Sequence, residues 1–185
     1  MSPSTFVLVP GSWHSSRCWQ RIVPLLEAQS HIVIAPDLCG QGSDPMPPSQ
    51  VTLRTWVDQI TVLIEKQQTP VILVGHSRGG IIISEVAQQV PEKIKLLVYL
   101  TAFLLPSGET IMHVSSQVKR DEDILQYYPD GTTTLKPDKI AALFYNTTSP
   151  EWVERVPEML SPEPANVFAT PLQLTDDRFG RVPRA

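Results

Sequence analysis

The sequence predicts an α/β fold built on a doubly wound parallel sheet with a helical cap, and three observations carry that expectation. Four short apolar runs, at residues 6–9, 32–35, 71–74 and 96–100, are almost continuously hydrophobic, the pattern of parallel strands covered on both faces. Amphipathic segments at helical spacing separate them, so strand and helix alternate as in βαβ units. Beyond residue 105 the pattern changes to proline-punctuated helical pieces.

Taken in order, residues 6–9 supply the first strand and Trp19, Ile22, Val23 and Leu26 the apolar stripe of the helix after it. The run at 32–35 follows, and then a helix carrying Val57, Ile60, Leu63 and Ile64, with Thr52 as its N-cap. The strand at 71–74 leads into a stripe of Ile82, Val86 and Val90 that ends at Pro91. Right-handed crossovers turn this order into an open parallel sheet. Further on, helices are expected over residues 121–128, 138–145 after Pro137, and 151–160 after Ser149-Pro150, the last kinked by Pro157. No strand is expected between residues 105 and 181. The chain thus divides into a core at 1–104, a helical cap at 105–181 and, at 182–185, the start of another core strand.

Composition narrows the function classes. A chain of 185 residues is long enough for one domain with a real core, and its formal charge of -4 comes without basic runs, which argues against nucleic acid and anionic membranes as partners. No apolar stretch reaches the roughly 18 residues of a membrane span. The N-terminus lacks the basic region of a signal peptide. Cys18 and Cys39 are too few for a disulfide framework and lack metal-ligand spacing. These features predict a cytoplasmic protein with reduced thiols and neither cofactor nor metal.

The stretch Gly75-His76-Ser77-Arg78-Gly79 matches G-x-S-x-G directly between an apolar strand and a helical stripe. A serine in such a turn is held above the strand end, and Gly75 and Gly79 are small because strand and helix backbones pass closely there. The Arg78 N–H, at a helix N-terminus, then faces an oxyanion formed next to Ser77. A second donor is expected from the loop after the first strand, Val9-Pro10-Gly11-Ser12-Trp13-His14. There Ser12 N–H is the candidate, Gly11 permits close approach, and His14 is read as a hydrogen-bonding anchor for the loop. The glycine-rich loop at residues 35–44 is assigned a shaping role. Gly-Lys-Ser/Thr is missing, so a phosphate-binding P-loop is excluded.

In order and spacing, "FVLVPGSWHSSRCW", "VIAPDLCGQGSDP", "VILVGHSRGGI", "YLTAFLLPSGE" and "LTDDRFGRVPRA" resemble an α/β-hydrolase of the plant-type methyl esterase and hydroxynitrile lyase branch. The resemblance covers nearly the whole chain. It implies Ser77 as nucleophile, the Ser12 and Arg78 backbone N–H groups as the oxyanion hole, and the stretch after Leu105 as cap. Pro10 stands where many relatives have histidine, and Ser15 where a glycine is common. Gly11 occupies the position of a threonine in the lyases of this branch, which favours ester hydrolysis over cyanohydrin cleavage.

A serine hydroxyl needs an oriented base to attack an ester at neutral pH. The chain order Ser, Asp or Glu, His places both partners after residue 185. Of the histidines present, His76 is expected to point into packing, His31 to lie at the opposite sheet edge and His113 at the start of the cap, with His14 nearest to the serine. Glu109 is the acidic residue closest in position to those used by some relatives. The expected incomplete sheet leaves the 96–100 strand as an apolar edge, to be covered by a complementing C-terminal segment or by a second copy in a homodimer. The pocket is expected to draw on Gly11, Trp13, His14, Phe103, Leu104, Tyr127, Tyr128, Phe144 and Trp152 and to take a small-molecule ester with an apolar or aromatic acyl group. A catalytically inactive ligand-binding homologue is the alternative, and a hydroxynitrile lyase a more distant one.

Overall fold

The computed structural model describes residues 2–118 and 124–185. Strands β1 (Thr5–Val9), β2 (Ile32–Ile34), β3 (Val71–His76) and β4 (Ile94–Leu100) form one sheet in the order β2-β1-β3-β4, with every pairing parallel. These are the four runs expected from hydrophobicity. The order places β1 and β3 side by side at the centre, so both of their C-terminal loops open on the same edge of the sheet.

Side chains alternate across this sheet as the pleat requires. Val7, Val9, Val71, Leu73 and Leu97 point to one face, where helices α2 (Leu53–Glu65) and α3 (Gly79–Gln89) bury them. Leu8 and Val74 point to the other, against Trp19 and against Val23 and Leu26 of α1 (Ile22–Glu27). The α2 face carries Trp56, Ile60 and Ile64, all without exposed surface. Thr52 caps α2 reciprocally with Thr55: each backbone N–H donates to the other's hydroxyl at 3.2 Å. Helix α3 ends before Pro91, which cannot continue it.

After β4 the chain departs from the expected all-helical cap. Helices α4 (Ile111–Ser116), α5 (Pro137–Phe144) and α6 (Pro150–Val153) are present, yet they flank a small antiparallel sheet of β5 (Leu125–Tyr127), β6 (Thr132–Leu135) and β7 (Glu163–Pro164), ordered β5-β6-β7. The helix expected over residues 121–128 is therefore corrected: residues 125–127 are strand, and residues 121–123 lie outside the described residues. A hairpin turn produces the change. Gly131 takes φ 82°, and the Asp130 carboxylate accepts from the Thr132 N–H and hydroxyl, at 3.0 and 2.8 Å. The β6 strand is a run of threonines, β-branched but polar, so it favours extension without the apolar alternation that marks a strand in a sequence. The helix expected at 151–160 is divided, with α6 followed by a 3₁₀ turn containing Pro157.

The 96–100 edge is also less open than expected. Leu97 and Tyr99 donate to the carbonyls of Pro183 and Ala185, each at 2.9 Å, and Ala185 N–H donates back to Leu97 at 3.0 Å. The 183–185 segment thus lies parallel to β4 and pairs with its middle.

Candidate active site

Ser77 sits between β3 and α3 at φ 51°, in the left-handed region that costs a non-glycine residue about 1–3 kcal/mol. Both backbone ends of the residue are held. Its N–H donates to the Leu100 carbonyl at 3.3 Å, and its own carbonyl accepts from Phe103 N–H at 3.0 Å and Gly80 N–H at 3.1 Å. The glycines around it exist for close approach. A Cβ on Gly75 would stand 2.7 Å from the Gly79 backbone, and one on Gly79 would stand 2.9 Å from the Val9 carbonyl. Gly80 is tighter still, with the Phe103 carbonyl at 2.2 Å from such a Cβ. The motif does not reveal its role, because G-x-S-x-G ends at Gly79.

The loop after β1 meets this turn. A Cβ on Gly11 would lie 3.0 Å from the Ser77 Cβ and 2.8 Å from His76 Nδ1, so a threonine here would collide with the histidine that precedes the serine. Trp13 takes φ 60°. Its N–H donates to Glu163 Oε2, and its carbonyl accepts from Ser161 N–H at 2.8 Å. The Gly11 carbonyl accepts from Arg78 Nη2 at 3.0 Å. The Ser12 carbonyl accepts from His14 Nδ1 at 2.7 Å, which leaves His14 Nε2 to accept from the Tyr145 hydroxyl at 2.6 Å. Among the described residues neither the Ser12 N–H nor the Arg78 N–H has an acceptor. Ser12 and Ser77 line the same cavity.

The Arg78 side chain does not enter that cavity. It is fully buried, its guanidinium stacked 4.1 Å from the Trp56 ring, with Nε 2.7 Å from Glu163 Oε1. Gln41, from the loop assigned a shaping role, reaches Arg78 Nη2 at 3.4 Å. In the same loop Asp37 accepts from the Ser16 N–H and from the N–H and hydroxyl of Ser43. Burial works against its charge, but these donors prevail and hold the carboxyl below its ordinary range. Burial pushes the Glu163 carboxyl up, against the pull of Arg78 and the Trp13 and Ser12 donors.

The cavity has a volume of about 840 Å³, within the range of small-molecule sites. Of the residues expected there, Trp13, Phe103, Tyr127 and Phe144 line it, joined by Ile111 and Met112 of α4 and by Phe168. Five expectations are corrected. Gly11 lies behind the cavity wall, packed on His76 and Ser77. His14 is spent on Ser12 and Tyr145. The Tyr128 hydroxyl accepts from Thr134 on the hairpin, at 3.3 Å. Trp152 lies between the guanidinium groups of Arg21 and Arg155, at 5.2 and 4.6 Å from its ring centre. Leu104 is more than half exposed. Aromatic character alone does not tell a cavity wall from a cation-stacking surface residue.

The remaining histidines also have partners elsewhere. His76 packs edge-on to Trp19, and burial lowers its pKa, helped by nearby His14 and Arg78. His31 accepts from Ser4 N–H at 3.2 Å at the β2 edge. His113 pairs with Glu109 at 2.6 Å on the exposed side of α4. Burial raises the Tyr145 hydroxyl to about 12, so it stays a donor to His14. Among the described residues no group of His, Cys, Asp and Glu is arranged to hold a metal ion. Glu163 and Tyr145, which hold the loop after β1, are the residues of the site that the sequence does not reveal. The only hint of Glu163 was its place between Pro162 and Pro164, which stiffens the segment without naming its partner.

Residues 6–185 match the model of the alpha/beta hydrolase family. Methylesterase 1 of Arabidopsis thaliana is 40% identical, the match covering 97% of this chain and 74% of the relative. Salicylic acid-binding protein 2 of Nicotiana tabacum is 32% identical over 97% of this chain and 75% of its own length. Among solved structures, tomato methylketone synthase I with bound 2-tridecanone superposes with a TM-score of 0.85 at 26% identity, covering 100% of this chain and 78% of that one. A methylesterase from Arabidopsis superposes with a TM-score of 0.83 at 25% identity, covering 98% and 75%.

Proposed function

Since this chain belongs to the alpha/beta hydrolase family, we propose that it hydrolyses carboxylic esters through an acyl-enzyme on Ser77. One observation carries this reading: a serine held at φ 51° on the wall of an apolar cavity, facing a loop whose Ser12 amide has no acceptor among the described residues. Strain of this kind collects at functional sites, and a hydroxyl raised on a cavity wall beside a free amide serves a nucleophile more directly than a ligand contact. Curated relatives named as esterases, including the carbendazim hydrolyzing esterase of Nocardioides at 33% identity, support the reaction class.

In the reaction the Ser77 Oγ adds to the ester carbonyl carbon while its proton passes to a general base. The tetrahedral oxyanion that results is stabilised by the Ser12 and Arg78 amides. Collapse expels the alcohol, which takes up the proton from the protonated base. Water then adds to the acyl group, and release of the acid restores the serine. The four histidines of this chain are turned to other partners, so the base and its orienting carboxylate are assigned to residues after Ala185, in the chain order of the family. The cavity wall of Ile111, Met112, Leu143, Phe144 and Phe168 suits an ester with an apolar or aromatic acyl group. Gly11, with no room for a threonine, favours ester cleavage over cyanohydrin chemistry.

A fluorophosphonate probe tests the proposal. Ser77 should be labelled in the folded protein, and p-nitrophenyl esters with apolar acyl groups should be turned over. The absence of labelling in a folded sample that carries the family's later strands would establish the ligand-binding alternative instead.

A further inference from the structure

We propose that Glu163 is the positioning residue of the oxyanion hole, a cap carboxylate that fixes the Ser12 amide by clamping the loop on both sides of it. The inference rests on the ester-hydrolase reading and adds a residue from the cap to its machinery.

The two carboxylate oxygens divide the task. Oε2 accepts from Trp13 N–H, and the Ser12 side chain helps hold the charge on the carboxylate against its burial. Oε1 pairs with Arg78 Nε at 2.7 Å, with both side chains fully buried. Arg78 then reaches back with Nη2 to the Gly11 carbonyl at 3.0 Å. The residues before and after Ser12 are therefore tied to the same ion pair, and that pair includes the side chain of the residue whose own amide is the second donor. Trp13 needs this hold, because its φ of 60° is strained and would relax if released.

The energetics argue against a merely stabilising role. A fully buried ion pair loses hydration that its mutual attraction barely offsets, and apolar replacements are often as stable or more so. What apolar residues cannot supply is an acceptor for the Trp13 N–H of a strained loop. Glu163 also belongs to β7, paired with Thr133 of β6. Thr133 lines the cavity and its hydroxyl accepts from Trp13 Nε1 at 3.3 Å. The cavity wall and the oxyanion amide are thus set by one pair of cap strands, so a substrate that shifts the wall shifts the amide.

The test compares Glu163→Gln with the charge-free double variant Arg78→Met/Glu163→Met in the full protein. Arg78 keeps its backbone amide in both. The Ser12 and Trp13 amide resonances should move in each variant, and kcat for a p-nitrophenyl ester should fall about 10- to 100-fold with KM changed less than about threefold. The double variant should do this while unfolding as cooperatively as the unmodified protein. Wild-type kcat in a folded double variant, or unmoved Ser12 and Trp13 resonances in Glu163→Gln, would overturn the proposal. If the unmodified protein cleaves no ester, the ester-hydrolase reading fails, and the amide resonances still decide whether Glu163 sets the loop.

Discussion

Two loops meet at the cavity, and each holds a non-glycine residue in the left-handed region: Ser77 at 51° in the turn after β3 and Trp13 at 60° in the loop after β1. They are held in different ways. The Ser77 turn is restrained by chain close to it in sequence and by the adjoining strand, through Gly75, Gly79 and Gly80 and the backbone of Leu100 and Phe103. The Trp13 loop is restrained by side chains far along the chain: Arg78, Tyr145 and Glu163. The proposed nucleophile is thus built into a local motif, whereas the proposed oxyanion donor is assembled only when cap and core come together. On the proposed reading, a site made this way keeps its serine rigid while the geometry of charge stabilisation answers to what the cap encloses.

The strongest break of the comparison falls on the first loop. Ser77→Ala should lower esterase activity by about 10⁶-fold and abolish fluorophosphonate labelling without unfolding the chain, as circular dichroism would verify. Ser77→Gly should be equally inactive yet more stable, by about 1 kcal/mol in urea unfolding, because glycine relieves the positive φ. A stability unchanged by glycine would show that the turn holds no strain.

Gly80→Ala comes next. Its Cβ would stand 2.2 Å from the Phe103 carbonyl, so α3 and the segment after β4 must separate, and a loss of about 3 kcal/mol is expected in the same measurement.

For the second loop, Tyr145→Phe removes the donor to His14 Nε2 and leaves a buried acceptor unpaired. A loss of about 1–2 kcal/mol is expected, with a rise in hydrogen exchange at residues 11–14 and little change around residues 75–80. Equal effects on both loops would mean that the two are held in the same way.

The smallest effect is one of pH. Burial lowers the pKa of both His14 and His76 below the ordinary 6.5. Below pH 6.5 the unfolded chain therefore binds protons that the folded chain resists, and stability falls as the pH drops from there until the folded pKa values are reached. His14 lies in the second loop, with Arg78 adding to its downward shift. Tyr145→Phe should accordingly change this acid sensitivity, read from urea midpoints at pH 7 and pH 5.5, while Ser77→Ala should not.

Much of the first loop could be read from the chain alone. An apolar strand, G-x-S-x-G and a helical stripe leave one geometry open, because glycine spacing and backbone sterics act over a few residues. The four core strands were legible for the same reason: burial on both faces gives continuous apolar runs. In the cap this signal fades. The threonines of β6 are polar, β7 is only Glu163–Pro164, and their pairing depends on partners dozens of residues away. His14 could be read as an anchor for the loop, but its partner Tyr145 could not.

The sequence by itself determined the parallel sheet, its order of strands and helices, and a serine raised at the end of β3. Hydrophobic periodicity and local steric limits are written in adjacent residues, and these features follow from them. Only the tertiary structure decided that the Arg78 side chain turns inward to a carboxylate from the cap, and that this pair, with His14, fixes the loop opposite the serine. A charge withdrawn from water needs a partner and fixes no sequence separation at which to find one, so the union of Arg78 with Glu163 exists in three dimensions alone.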